Sequence, residues 1–367
     1  HFSNGIGELN QAIHRLKFDE HFFLQLLMAL RKRSLQHSGS LPLPDIGPYF
    51  KLISETLDFE LTDAQKKVIK EIHSDLKNPI PMNRLLQGDV GSGKTIVSIL
   101  ISALAVGNSA QVAMMVPTEI LATQHFHSFK SELEKVNIPC ALLVGNMKKI
   151  DRLPILAGLE NGKIPMVIGT HALIQEDVNF KNLGLVIVDE QHRFGVNQRA
   201  KLVEKGNNPH FLAMTATPIP RTLSITYHGD MDLSIIDEMP ANRIPVVTKV
   251  VEPSRLGKVY KFIKDEVAVG RQCMVIYPLV EESEKSDLAA AVEAHKELDE
   301  KFFPDLNVGL IHGRMKAGEK DNIMERFSKN EISILVSTTV VEVGVDIPNA
   351  TVMVIEHADR FGLTQLH

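Results

Sequence analysis

The sequence predicts an α/β protein of two domains, each a mostly parallel sheet with helices on both faces, preceded by an N-terminal helical connector. Three observations predict it. Short apolar runs alternate with helix-length segments, the pattern of parallel strands covered on both faces. The alternation comes in two series, separated by IDEMPANRIP around Asp237 to Arg243. The chain has 367 residues and 44% apolar content, enough for two ordinary cores.

The elements follow in order. Gln11 to Arg33 reads as one helix, with Ile13, Leu16, Phe23, Leu27 and Leu30 at helical spacing. HSGSLPLPDIGP (His37 to Pro48) is rich in Gly, Pro and Ser and reads as a linker. The first strand series is NRLLQ, QVAMMV, ALLVG, MVIGT, LGLVIVDE and HFLAMTAT, with Met114 and Met115 as core filler. The second is VVTKVVE, QCMVIYPLV, NVGLIHG, ISILVSTT and ATVMVIE, with a charged helix over Ser283 to Lys301. The expected divisions are 1–50 for connector and linker, 51–240 for the first domain and 241–367 for the second.

Composition narrows the classes. A formal net charge of −5 excludes a bulk-basic nucleic-acid binder while leaving local patches open. Cys140 and Cys273 are the only cysteines, so no disulfide framework or cysteine zinc site is supported, and a cytoplasmic setting fits. The longest apolar stretch, IVSILISALAVG (Ile96 to Gly107), is broken by serines and reads as a buried helix; no membrane span is expected. The start at His1-Phe2 reads as a fragment boundary, not a signal peptide.

The strongest local signal is LLQGDVGSGKTIVSIL. Gly88 to Thr95 spells GxxxxGKT between an apolar strand and an apolar helix. Gly88, Gly91, Ser92 and Gly93 let backbone N–H groups wrap phosphate oxygens at a positive helix N-terminus. Lys94 would reach the β- and γ-phosphates and Thr95 would hold Mg²⁺. The alternative is a Gly-rich turn with a solvated lysine. A P-loop nucleotide needs an acid nearby for its metal, and LVIVDEQH ends a strand in Asp189 and Glu190. Asp189 would hold the metal and Glu190 would polarise the attacking water. The alternative is a surface acid pair capping the next helix.

Other words narrow the P-loop classes. LTDAQ (Leu61 to Gln65) precedes the P-loop and also fits a helix capping box through Thr62 and Gln65. VPTEILATQH, IGTHAL, DEQH, MTATPIPRT, YPLVEESE, LIHGRM and VSTTVVEVGVDIP follow. Several put Gly, Ser, Thr or His just after a strand, where N–H and hydroxyl groups can hold sugar-phosphate oxygens without reading bases.

This series resembles the superfamily 2 helicases and translocases, built from paired RecA-like domains. DEQHRFGV, TATPIPRTL, YPLVEESE and HGRMK together resemble the RecG family, bacterial ATP-dependent DNA helicases that regress stalled forks and migrate Holliday junctions. The resemblance covers Leu57 to His367. It implies ATP and Mg²⁺ as cofactors, branched double-stranded DNA as partner, a single-stranded DNA-binding protein as a candidate partner, no membrane, a monomer, and a bacterial, nucleoid-associated location.

The resemblance also implies roles. Gln65 would read the adenine edge, with Phe59 packing on the ring. Gln191 and His192, with Thr215, Thr217 and Arg221, would couple nucleotide state to domain closure. Pro117, Thr118, Gly169 and Thr170 would touch the DNA backbone from the first domain; His312, Arg314 and Thr339 would do so from the second. Gly344 and Asp346 would face the nucleotide cleft. Plainer roles stay open: Thr118 as a helix cap, His312 as a loop histidine, Thr215 and Thr217 as caps of the turn before Pro218, Arg221 as the partner of a carboxylate.

The resemblance places a wedge domain before this segment, and a paired-arginine stretch and a hook after RFGLTQLH. A chain ending at His367 would be expected to bind ATP and hydrolyse it poorly, with weak, salt-sensitive DNA binding. Three other functions stay open. The motor of a transcription-repair coupling factor would usually read DEEHRFGV where Gln191 stands here. A non-catalytic nucleotide-binding fragment would bind without DNA-stimulated turnover even with the C-terminal segment restored. A small-molecule kinase explains the P-loop but not the second domain's motifs.

Overall fold

The computed structural model describes residues 6–36, 39–216, 231–240, 246–278, 284–338, 347–362 and 366. The chain divides into two compact units, His1–Arg243 and Ile244–His367. Thr217, Arg221, Thr339, Gly344 and Asp346 lie outside the described residues.

The first unit opens with α1 (Ile6–Gln36), longer at both ends than its core periodicity. Residues 39–46 have the irregular backbone that their Gly and Pro content dictates, but they do not hang free. Ser40 and Leu43 donate backbone N–H bonds to Pro79 and Leu76 carbonyls, and Leu43 is fully buried. His210 fixes the same strap. Its Nδ1 accepts from Met82 N at 3.0 Å, so Nε2 carries the proton and donates to Leu41 O at 2.8 Å. Helix α2 (Gly47–Glu55) follows and packs on α4 (Lys94–Gly107).

The rest of this unit is α3 (Asp63–Leu76), β1 (Asn83–Gly88), α4, β2 (Gln111–Met115), α5 (Glu119–Glu134), β3 (Cys140–Leu143), α6 (Lys149–Glu160), β4 (Met166–Gly169), β5 (Leu183–Val188), α7 (Val196–Val203), β6 (His210–Thr215) and β7 (Asp232–Ile236). The seven strands form one sheet, ordered β3-β4-β2-β5-β6-β1-β7, with every pair parallel. Strands β2, β4, β5 and β6 are buried throughout, which explains their unbroken apolar runs. Helix α4 buries its serines at no polar cost: Ser98 and Ser102 donate to the Thr95 and Ser98 carbonyls at 2.7 Å.

The second unit holds α8 (Leu256–Ala268), β8 (Gln272–Tyr277), α9 (Glu284–Glu297), β9 (Val308–Ile311), α10 (Ala317–Ser328), β10 (Ile334–Thr338) and β11 (Ala350–Ile355). Its parallel sheet runs β11-β8-β10-β9 over a core that includes Ile263, Phe303, Ile334 and Val336. The charged helix ends at Glu297, and Leu298–Phe302 continues as one wider π-type turn.

One local reading needs correction, and one strand is not read from the sequence at all. VVTKVVE is not a strand: residues 246–252 are irregular, and Val246, Val247 and Val250 are exposed. Its valines come in adjacent pairs, so a strand here would carry apolar residues on both faces with neither buried. Conversely, β7 has no strong apolar run, yet it joins the sheet beside β1 in the register Gly88↔Ile236.

Candidate nucleotide and nucleic-acid site

In an all-parallel sheet the C-terminal ends of all strands share one edge, where ligands bind in open α/β sheets. The register aligns these ends here. Met115 pairs with Gly169 on one side and Val188 on the other; Val188 pairs with Ala213, and Gln87 with Thr215. The turns after β1, β2, β4, β5 and β6 therefore carry Gly88 to Thr95, Pro117 and Thr118, Thr170, Asp189 and Glu190, and Ala216 along one rim.

The phosphate loop joins β1 to α4. Gly91 and Gly93 take φ of 80° and 88°, a region that side chains rarely adopt. A Cβ on Gly93 would also run into the Gln65 side-chain amide. Gly93 is the N-cap of α4 and no side chain caps that helix, so its first amides face the loop. Lys94 folds back, its Nζ donating to Gly88 O at 2.7 Å and Asp89 O at 3.0 Å. Burial pulls the ammonium below the usual lysine range, opposed by the charges of Asp189, Glu190 and Asp89. That opposition ties the loop electrostatically to the acids at the tip of β5.

Asp189 is buried. Its Oδ1 accepts from Glu190 N at 3.0 Å, and its Oδ2 lies 2.9 Å from His125 Nε2 on α5. Burial pushes its pKa up, but the His125 hydrogen bond and charge and the nearby Lys94 outweigh it, so the carboxyl titrates below its usual range. Glu190 goes the other way. Burial and the adjacent Asp189 raise its pKa against the pull of Lys94, the Ala216 N–H and Arg193. Neighbouring acids pushed apart in this way suit separate roles, the lowered one as a charge and the raised one as a proton acceptor.

Glu190 is left-handed, at φ 49° and ψ 50°, and leads into a 3-10 turn over Gln191–Arg193. The tip of β11 repeats this geometry: His357 has φ 51° and ψ 48°, ahead of a 3-10 turn over Ala358–Arg360. Both turns run on into Arg-Phe-Gly. The conformation thus belongs to the strand-tip turn rather than to the acid.

Oxygen donors dominate the site. Asp189 offers a carboxylate and Thr95, in the first turn of α4, a hydroxyl. Mg²⁺ favours one or two such ligands completed by phosphate and water, so the donor set fits it. Among the described residues no group of three or more His, Cys, Asp or Glu side chains could form an all-protein metal cage. The buried Ser92 Oγ has no hydrogen-bond partner among the described residues, a polar atom that a phosphate oxygen would satisfy.

The remaining candidates divide. Gln65 is buried; it completes a reciprocal cap with Thr62 and donates from Nε2 to Ser92 O at 2.8 Å. Phe59 is exposed. Gln191 is buried, its Oε1 accepting from Arg199 at 3.2 Å, while His192 is exposed with Nδ1 3.5 Å from Glu190 Oε2. Thr118 caps α5, its hydroxyl accepting from Leu121 N at 3.3 Å. Gly169 lies where a Cβ would strike the Leu143 carbonyl. Thr170 is buried, so a phosphate contact through its hydroxyl requires the loop to open. Thr215 ends β6, buried. In the second unit, His312 follows β9, its pKa lowered by burial and by the Lys320 and Arg314 charges, and Arg314 is exposed. His125 was not legible in sequence: nothing in ATQHFHSF says that the helix after β2 reaches the tip of β5.

Comparison with known proteins adds three findings. The DEAD/DEAH box helicase family matches residues 62–225, and the helicase conserved C-terminal domain family matches residues 254–367. The whole chain is similar to ATP-dependent DNA helicase RecG of Synechocystis sp. (52% identical, covering 44% of that protein) and of Streptococcus pneumoniae (50% identical, covering 54%). The fold matches that of a RecG bound to a three-way DNA junction over all of this chain and 48% of the other, with 44% identity and a TM-score of 0.86. The chain spans about half the length of the curated relatives it matches.

Proposed function

This chain belongs to the RecG family of helicases, and from that membership we propose that it carries the ATP-driven motor of a double-stranded DNA translocase that remodels branched DNA in repair and recombination. The observation that carries the reading is that the phosphate loop after β1 and the acids Asp189 and Glu190 after β5 stand on one rim of a parallel sheet. The 44% identity to a RecG bound to a three-way DNA junction supports the choice of a branched substrate.

In this reading the amides of residues 91–95 and the Lys94 ammonium hold the β- and γ-phosphates, Lys94 exchanging its two carbonyl partners for phosphate oxygens. Asp189 and Thr95 hold Mg²⁺, which when bound neutralises charge developing on the transferred phosphoryl group. Glu190 accepts a proton from the attacking water, a task its raised pKa suits. Phe59 packs on the base, and Gln65 reads the adenine edge while tying the α3 cap to the loop. Gln191, His192, Thr215, Thr217 and Arg221 relay nucleotide state. Gly344 and Asp346, outside the described residues, are assigned to the nucleotide by the family resemblance alone. Pro117, Thr118, Gly169, Thr170, His312, Arg314 and Thr339 hold the DNA backbone, a sequence-independent grip suited to a translocase. The protein acts as a monomer at the nucleoid, with a single-stranded DNA-binding protein as a partner.

The test is ATP turnover without DNA, with linear duplex and with a model fork. The expected result is a fork-stimulated rate that disappears in Lys94→Ala. ATP binding with no turnover under any condition, also in a chain extended through the paired-arginine stretch, would instead favour a non-catalytic nucleotide-binding role.

A further inference from the structure

We propose that His125 is a positioning residue for Asp189, holding the metal-binding carboxylate at a fixed rotation from a separate element of the fold. The inference rests on the reading of Asp189 as the Mg²⁺ acid.

The two side chains lie 64 positions apart, on α5 and at the tip of β5. An ionised carboxylate only accepts hydrogen bonds, so the 2.9 Å contact requires His125 Nε2 to carry the proton and donate to Oδ2. The other oxygen, Oδ1, accepts from Glu190 N. Each oxygen is thus held by one donor and keeps lone-pair capacity for a metal. The two donors come from different directions, one local and one across the sheet. Without His125, the local amide alone would restrain the carboxylate, which could then turn about its Cβ–Cγ bond.

The ring is itself held. His125 is 9% exposed and packs edge-on to Phe129, with centroids 6.4 Å apart and planes at 70°. Phe129 is fully buried one turn further along α5. An imidazole fixed by packing, aimed at a buried carboxylate, has the geometry of an outer-shell donor. Such donors set ligand orientation, and their loss typically costs about 10–100-fold in metal affinity.

The test is equilibrium binding of a fluorescent, non-hydrolysable ATP analogue as Mg²⁺ is raised, for the wild type, His125→Met, His125→Gln and Asp189→Asn. His125→Met removes the donor while keeping bulk. It should raise the half-saturating Mg²⁺ about 10-fold or more, with Mg²⁺-free nucleotide binding and circular dichroism unchanged. His125→Gln carries an N–H₂ group at similar reach and should restore the wild-type midpoint. Should His125→Met fail to fold, His125→Asn, whose amide stops short of Asp189, carries the same expectation. A folded His125→Met with the wild-type midpoint would overturn the inference. So would a Gln variant as impaired as Met, since packing rather than the hydrogen bond would then matter. Asp189→Asn separates the two readings: it should abolish the Mg²⁺ dependence. If it keeps the wild-type midpoint, Asp189 is not the metal acid and the role of His125 falls with it.

Discussion

Gln65 donates its side-chain N–H to the backbone carbonyl of Ser92 across 2.8 Å, while its carbonyl oxygen accepts from Thr62 N at 2.9 Å. One buried amide thus closes the N-terminus of α3 and braces the turn of the phosphate loop. Thr62→Ala removes the cap alone and should cost about 1 kcal/mol. Gln65→Ala removes both bonds; it should cost about 1–2 kcal/mol more and weaken nucleotide binding. Thermal melts with and without nucleotide separate the two. Equal effects of both variants on binding would show that the brace has no influence on the loop.

Gly93→Ala should damage the loop more than the fold. The new methyl group meets both a left-handed backbone and the Gln65 amide. A cost of about 1–3 kcal/mol is expected from the backbone alone, and nucleotide binding should be lost. Calorimetric titration with ATP checks it, and binding at wild-type strength would mean the loop adapts.

Glu190→Gln should lower hydrolysis at least about 100-fold while nucleotide still binds. The raised pKa of Glu190 adds a pH signature. The base works only when ionised, so the wild-type rate should fall as pH drops through a value above the ordinary 4.5 for glutamate. An acid limb unchanged in the residual rate of the Gln variant would assign it to another group.

His210 predicts a stability difference with acid pH. Burial lowers its pKa from 6.5, only partly offset by the Leu41 carbonyl and Asp75. The unfolded imidazole takes up a proton as pH falls through 6.5, whereas the folded one resists until lower pH. Folding stability is therefore complete above 6.5 and declines as pH falls toward the folded pKa, by up to about 1.4 kcal/mol per pH unit for one proton. Urea melts between pH 7.5 and 5, as an approximate range, should show a shallower decline in His210→Gln. Parallel curves would mean that the ring titrates alike in both states.

What was legible in the sequence was local. The phosphate loop declares itself because strand, glycines and helix are contiguous, and the Thr62–Gln65 cap because its partners are three residues apart. Asp189 stood out as an acid ending a buried strand. What was illegible depends on strand order. No pattern in DLSII predicts that β7 lies against β1, and none places His125 beside Asp189, which follows from β2 and β5 being neighbours. The second bond of Gln65, to Ser92, is hidden because it spans 27 positions, from α3 to the turn after β1. VVTKVVE misled because β-branched residues favour strands only when pairing buries one face, and here the valines stay exposed.

Strand β1, which carries the phosphate loop, lies between β6 and β7, both far downstream in the chain. During synthesis at about 5–20 residues per second, the apolar strand bearing GDVGSGKT must wait on the order of ten seconds before either neighbour exists. Strands β2, β3, β4 and β5 can meanwhile pair among themselves, since their mutual contacts need nothing beyond Val188. The nucleotide loop is then among the last parts of its unit to gain support. A ribosome-bound chain halted before residue 210 would own a complete phosphate-loop motif and no strand to pair with the one that carries it.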